Sequence, residues 1–143
     1  MINTIKALRT LTKTLLAALG LLSISSVSYA TTVQIQTVLG DFEVNLYDKK
    51  TPETVKNFLS YVNSGAYTDS VFHRSVKDFM IQSGGFKYTG TPSVTPPLVA
   101  IPSRAPVINE ATLSNVRGTI AMAKGGSPNS ATNQWFINFK DNS

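Results

Sequence analysis

No cysteine occurs anywhere in the 143 residues, which removes disulfides, a thiol nucleophile, a cysteine-ligated zinc and a lipid-modified cysteine anchor. Histidine is almost as scarce, and the single one, His73, cannot build a His-rich metal site. The eight acidic residues stand one at a time, without the dense alternation of oxygen ligands that a calcium loop needs. The chemistry must therefore run without metal or thiol, and no cofactor is expected. Surplus charge is also short. Lys and Arg number 13, for a formal +5, but Lys6, Arg9 and Lys13 fall at the start of the chain, where no acid accompanies them. Beyond residue 30 ten bases face eight acids and the longest basic run is Lys49-Lys50, too little clustering for a phosphate-binding face. No nucleic-acid partner is expected. What is plentiful is apolar residues, at 42%, with 9 Gly and 7 Pro, the composition of one globular domain.

The three early bases belong to a leader. They precede the apolar run from Leu15 to Leu22, and Ser28-Tyr29-Ala30 then sets small residues at the two positions a signal peptidase reads. A membrane anchor would need about 20 consecutive apolar residues, and Ser23, Ser25 and Ser26 interrupt the run too early. Residues 1–30 thus read as a cleavable signal peptide. The remaining domain, 31–143, is expected to be periplasmic or secreted and free of the membrane after cleavage, without oxidative stapling.

Val33, Ile35 and Thr37 alternate with Gln34 and Gln36, and Phe42, Val44 and Leu46 alternate with Glu43, Asn45 and Tyr47. With Gly40-Asp41 between them, the two runs predict a β-hairpin with one buried face. Thr51-Pro52-Glu53 supplies an N-cap, a first-turn proline and an acid. Val55, Phe58, Leu59 and Val62 follow at helical spacing, so a helix is predicted from Pro52 to Ser64, ending at Gly65. Short strands are predicted at Val71-Phe72, Phe79 to Ile81, Thr119 to Ala123 and Gln134 to Phe139. Residues 84–118 hold Pro92, Pro96, Pro97, Pro102 and Pro106 and read as a long surface loop. Several short strands with one clear helix indicate a mostly β domain, a barrel with helices at its ends. The final strand lies so close to Ser143 that the sheet would keep an unpaired edge, so either something else closes the barrel or the domain is incomplete at its C-terminus.

The densest functional cluster runs from Phe72 to Gly85. If extended throughout, it would put Arg74, Met80 and Gln82 on one face. Taken alone, the same stretch is an ordinary hairpin in which His73 is a hydrogen-bonded structural residue and Arg74 a surface ion-pair partner. Phe72-His73-Arg74, Phe79-Met80-Ile81-Gln82, Gly84-Gly85 and the run Ser130 to Asn138, however, resemble the cyclophilin-type peptidyl-prolyl cis-trans isomerases. Thr51 to Phe58, Asn109-Glu110 and Arg117 to Ala123 match the same family in the same order. With its leader, the chain is similar to the exported bacterial branch.

The resemblance implies a cyclophilin-like antiparallel β-barrel with capping helices. It places the catalytic arginine on Arg74 and the catalytic glutamine on Gln82, the proline pocket on Phe79, Met80 and Phe136, and groove contacts on Ala123 and Gln134. Trp135 should face away from Phe136, into the core. The implied partners are proline-containing peptides and unfolded exported proteins, met by a monomer. The alternative is a proline-peptide binding module or holdase using the same groove with little turnover. Lys124 departs from the asparagine or arginine common in the family, Gly125-Gly126-Ser127 alters the following turn, and the segment from Tyr88 to Pro102 looks long. The implied activity is rotation of X-Pro bonds during the folding of exported proteins. It is weakened here if Phe136 faces a pocket lacking its opposite wall.

Overall fold

The computed structural model describes residues 30–90 and 97–143; the leader before Ala30 and both Pro92 and Pro96 lie outside them. Strands β1 (Thr32–Ile35) and β2 (Phe42–Asn45) form the hairpin, with Val33 opposite Val44 and Ile35 opposite Phe42. Alternation turns Val33, Ile35 and Val44 towards the core and leaves Gln34 and Glu43 exposed. At the tip the Thr37 hydroxyl donates to the Gly40 carbonyl at 2.6 Å, and Val38 and Leu39 stand fully exposed. The base of the hairpin is tied at Thr31. Its N–H donates to Asp48 Oδ2 at 2.8 Å, its hydroxyl to Asp48 Oδ1 at 2.7 Å, and its carbonyl accepts from the Leu46 N–H at 2.8 Å. The backbone bond from Thr31, then the hydroxyl bond, hold the Asp48 carboxyl below its ordinary pKa.

Helix α1 (Pro52–Asn63) follows, capped at Ser64 and turned away by Gly65 at φ +69°. Val55 and Phe58 are buried, with Leu59 and Val62 packed beside them. Tyr61, outside that predicted stripe, is completely buried, and its hydroxyl oxygen accepts from the Arg104 N–H at 2.7 Å. The helix start differs from expectation. Thr51 makes no side-chain cap; its hydroxyl donates back to the Tyr47 carbonyl at 3.3 Å. The Glu110 carboxylate takes that role, accepting from the N–H groups of Glu53 at 3.2 Å and Thr54 at 2.8 Å and from the Thr54 hydroxyl at 2.7 Å. Desolvation pushes the Glu110 pKa up, but the bonds from Thr54 and Glu53 outweigh it, and the net shift is downward.

The remaining strands are β3 (Arg74–Val76), β4 (Met80–Ser83), β5 (Phe86–Tyr88), β6 (Leu98–Ala100), β7 (Ile120–Met122) and β8 (Trp135–Asn138). An antiparallel sheet is built in the order β3-β4-β8-β7. One face of it carries Ile81, Ile120, Ile137, Met122 and Trp135; all but Ile81 join the core of Leu46, Val55, Phe58 and Ala131. Here two predictions are corrected. Val71-Phe72 is not a strand: the Val71 N–H bonds the Phe86 carbonyl at 3.0 Å and that of His73 the Gln82 carbonyl at 3.1 Å, so the chain passes between partners before β3 begins. Residues 84–118 are not one irregular loop, because β5 and β6 pair within them, Lys87 opposite Val99. Pro97 abuts β6 without entering it, where its missing N–H costs no ladder bond.

The barrel expectation is also corrected. Hairpin β1-β2, sheet β3-β4-β8-β7 and hairpin β5-β6 remain separate, and no ladder joins β2 to β7. Instead of capping helices at both ends, the described residues contain the single helix α1. No helix among them is long and apolar enough to cross a membrane.

Candidate active site

Register aligns the site. Arg74 lies opposite Gln82, Gln82 opposite Phe136, and Phe136 opposite Ala121, so these four residues form one row across the sheet. Directly paired residues of antiparallel strands share a face. Met80, two residues before Gln82, belongs to that same face, as do Gln134 before Phe136 and Ala123 after Ala121. The ladder extends to them, since the Ala123 N–H donates to the Gln134 carbonyl at 2.8 Å. Six of the seven predicted site residues therefore lie on the side opposite Trp135. The seventh, Phe79, sits in the turn before β4, behind Asp78 at φ +54°, and is 38% exposed.

Side-chain bonds order this face. Arg74 Nη1 donates to Gln82 Oε1 at 3.3 Å and approaches Met80 Sδ at 4.0 Å. Gln82 Nε2 donates to Gln134 Oε1 at 2.6 Å, which fixes which end of the amide meets the guanidinium. Arg74 is exposed and carries free donors outward, while Met80 is buried beneath it. The arrangement can offer a charged donor beside an apolar floor without any nucleophile. Arg74 makes no ion pair among the described residues, against the surface ion-pair reading.

The flanking residues are placed by packing. Trp135 is buried as expected, with ring centres of Phe58, Tyr67 and Phe72 at 6.2, 6.4 and 5.7 Å. His73 packs edge-on to Phe86 at 5.1 Å, and its buried Nδ1 has no hydrogen-bond partner among the described residues, so it supports the site by contact and not by hydrogen bonding there. Gly84 adopts φ +78°, and a Cβ there would strike the Asn133 carbonyl and lie 2.8 Å from Trp135 Cδ1. At Gly85 a Cβ would stand 3.0 Å from His73 Cε1 and 3.1 Å from Gln134 Cδ.

A cavity of about 530 Å³ opens along β7, lined in part by Tyr47, Glu110, Leu113, Val116, Ala121 and Phe136. It reaches the Phe136 end of the row and not Arg74, because it follows the unpaired edge of the sheet. Lys124 stands at its rim, donating to Asn109 Oδ1 at 3.1 Å. Glu110 and Ala121 were not among the predicted site residues. Ala121 could have been found from its spacing to Ala123, whereas Glu110, named only within the matching pair Asn109-Glu110, has its partner 56 residues away, so nothing local showed its role.

Residues 32–143 match the family model of cyclophilin type peptidyl-prolyl cis-trans isomerases. The chain is 45% identical over 112 residues to peptidyl-prolyl cis-trans isomerase B of Escherichia coli, covering 77% of this chain and 63% of that protein. A peptidyl-prolyl cis-trans isomerase of Acinetobacter baylyi is likewise 45% identical over 127 residues, 87% of this chain and 63% of the relative. The chain thus spans less than two thirds of the length of these relatives. Among solved structures, a cyclophilin type isomerase of Cryptosporidium parvum crystallised in the presence of the dipeptide Ala-Pro superposes with a TM-score of 0.61 at 29% identity, over 78% of this chain and 69% of that one. The ordered row on one sheet face and these matches agree: the chain belongs to the cyclophilin-type peptidyl-prolyl cis-trans isomerase family.

Proposed function

We propose that this protein accelerates rotation about X-Pro bonds in extended peptides bound across the Arg74 face of the sheet. The observation that carries the reading is the row Arg74-Gln82-Phe136, with Arg74 Nη1 bonded to Gln82 Oε1. Amide resonance opposes the rotation with a barrier of about 18–20 kcal/mol, and uncatalysed exchange takes roughly 10–100 s at 25 °C. No bond is made or broken. As the amide twists, the prolyl nitrogen gains a lone pair, and the guanidinium of Arg74 donates to it. One hydrogen bond to a charged group is worth about 1.5–3 kcal/mol, or roughly ten- to a hundredfold at about 1.36 kcal/mol per decade. The remainder comes from desolvating the proline ring against Phe79, Met80 and Phe136, while Gln82, Gln134 and Ala123 hold the flanking peptide.

Replacing Arg74 by Ala should lower exchange in a short X-Pro peptide by roughly ten- to a hundredfold, read by protease-coupled or NMR exchange assay, with peptide affinity largely kept. Equal turnover in the variant would sink the donor role. Binding without turnover in the unsubstituted chain would establish the binding module in place of the enzyme.

Two further readings belong with this one. Residues 1–30 act as an export signal cleaved after Ala30, supported by the basic start, the apolar run and Ser28-Tyr29-Ala30, so that the clients are unfolded exported proteins; mass spectrometry of the exported product tests it. The described domain is the larger part of a longer one, supported by its 63% span of the relatives and by the unpaired outer edge of β7.

A further inference from the structure

We propose that Asp48 is a built seat for a new chain terminus: hydrolysis of the Ala30–Thr31 bond turns the Thr31 N–H into an α-ammonium that Asp48 already holds. The proposal rests on the cleavage reading above. In that step water adds its hydroxyl to the Ala30 carbonyl carbon as the C–N bond breaks, and the nitrogen takes the remaining hydrogen. At neutral pH the new Ala30 acid releases a proton and the Thr31 amine gains one, so a neutral amide donor becomes a cation.

Three features make Asp48 a receptor and not a passing contact. Both of its oxygens are used on Thr31, Oδ2 on the N–H at 2.8 Å and Oδ1 on the hydroxyl at 2.7 Å. Two of the three bonds that hold Thr31, through its hydroxyl and through its carbonyl to Leu46 at 2.8 Å, are independent of what is attached to the nitrogen. Ala30 is exposed and lies outside the β1 ladder, so the scissile bond is reachable while Thr31 stays in place. Asp48 also has no ion-pair partner among the described residues. The charged neighbours are Lys49 and Lys50 of the same turn, both exposed, with Lys50 Nζ over the Tyr47 ring at 5.9 Å. The carboxylate is therefore anchored and unpaired until the ammonium forms. Charge-assisted bonds are the stronger kind, so processing tightens the base of the hairpin that the precursor holds more weakly.

The pH signs differ at the two ends. An α-amine whose folded pKa is raised above its ordinary value of about 7.7–8.0 stabilises the fold below that value and loses the effect as pH rises through the raised one. The lowered carboxyl of Asp48 stabilises above its ordinary range and loses the effect as pH falls through its depressed value.

The test compares the chain beginning at Thr31 with one beginning at Ala30, each released from a fusion without extra residues. Every described element lies within Thr32 to Asn138, so both carry all of them. At pH 7 and low salt the Thr31 form should melt roughly 1–5 °C higher. The gain should collapse in about 1 M salt and in Asp48→Asn. Equal melting, or the same gain in D48N, overturns the proposal. If D48N does not fold, NMR titration of the α-amine in the unsubstituted Thr31 form decides: a raised pKa supports the seat, an ordinary or lowered one overturns it. An exported product beginning elsewhere overturns the cleavage reading, and with it the use of the seat in the exported protein, whereas the melting comparison, on chains prepared independently, reports on the Asp48 seat itself.

Discussion

Gln82 occupies the centre of the site row with both ends of its amide committed, the oxygen to Arg74 at 3.3 Å and the nitrogen to Gln134 at 2.6 Å. Removing the acceptor on Gln134 frees that amide to turn its NH2 towards the guanidinium, where two donors repel. Gln134→Leu should therefore lower turnover about two- to tenfold, the worth of one ordinary hydrogen bond, while Gln134→Glu, which keeps an acceptor, restores most of it. A loss confined to KM in the leucine variant would mean that Gln134 touches only the peptide. The adjacent glycines separate packing from backbone effects. Gly84→Ala meets a backbone carbonyl and a positive φ and should cost several kcal/mol, on the order of other buried overpacking and strain. Gly85→Ala meets only the flexible Gln134 side chain and the His73 ring edge, so its melting point should fall far less.

Helix α1 shows why part of the fold could be read locally and part could not. Its start at Pro52 and its apolar stripe follow from residues near one another in sequence, as do the β1-β2 hairpin and strands β7 and β8. Its true N-terminal acceptor is Glu110, 56 residues from Thr54, and no window of sequence holds both. Strands β5 and β6 stayed hidden for a related reason: three residues each, among prolines and glycines, they are too short to show alternation. The site was legible through the family resemblance of its residues, but the turn at Lys77 and Asp78 obscured the register, which the pairing of β3 with β4 and of β4 with β8 settles. Glu110 also predicts acid behaviour. Its pKa is lowered on folding, so its stabilisation is present above the ordinary carboxylate range and lost as pH falls through the depressed value. Glu110→Gln should cost about 1 kcal/mol at pH 7, as for other helix caps, and flatten the melting-point loss between pH 5 and pH 3. An unchanged acid limb would show that the cap carries no linked proton.

At the scale of the whole molecule the dominant feature is the unpaired outer edge of β7, with the 530 Å³ cavity along it. The odd-numbered residues 119 and 123 spend their ladder bonds on β8, which leaves the backbone groups of Ile120 and Met122 directed outwards. Such an edge beside apolar Leu113 and Val116 favours association between chains. A chain lengthened to the span of its relatives should melt higher, aggregate less and exchange X-Pro bonds faster than residues 31–143, compared by calorimetry, light scattering and exchange assay. Equal values would show that the β7 edge needs no further strand. Across the same sheet the protein holds its only tryptophan, buried among Phe58, Tyr67 and Phe72 and one residue from Phe136 on the opposite face. That position makes Trp135 an intrinsic optical gauge: its emission will shift to the red when the core opens, and a smaller change on adding peptide will report strain passed through the β8 backbone from the groove. Stability and occupancy can thus be read from one fluorophore, with no label attached to the chain.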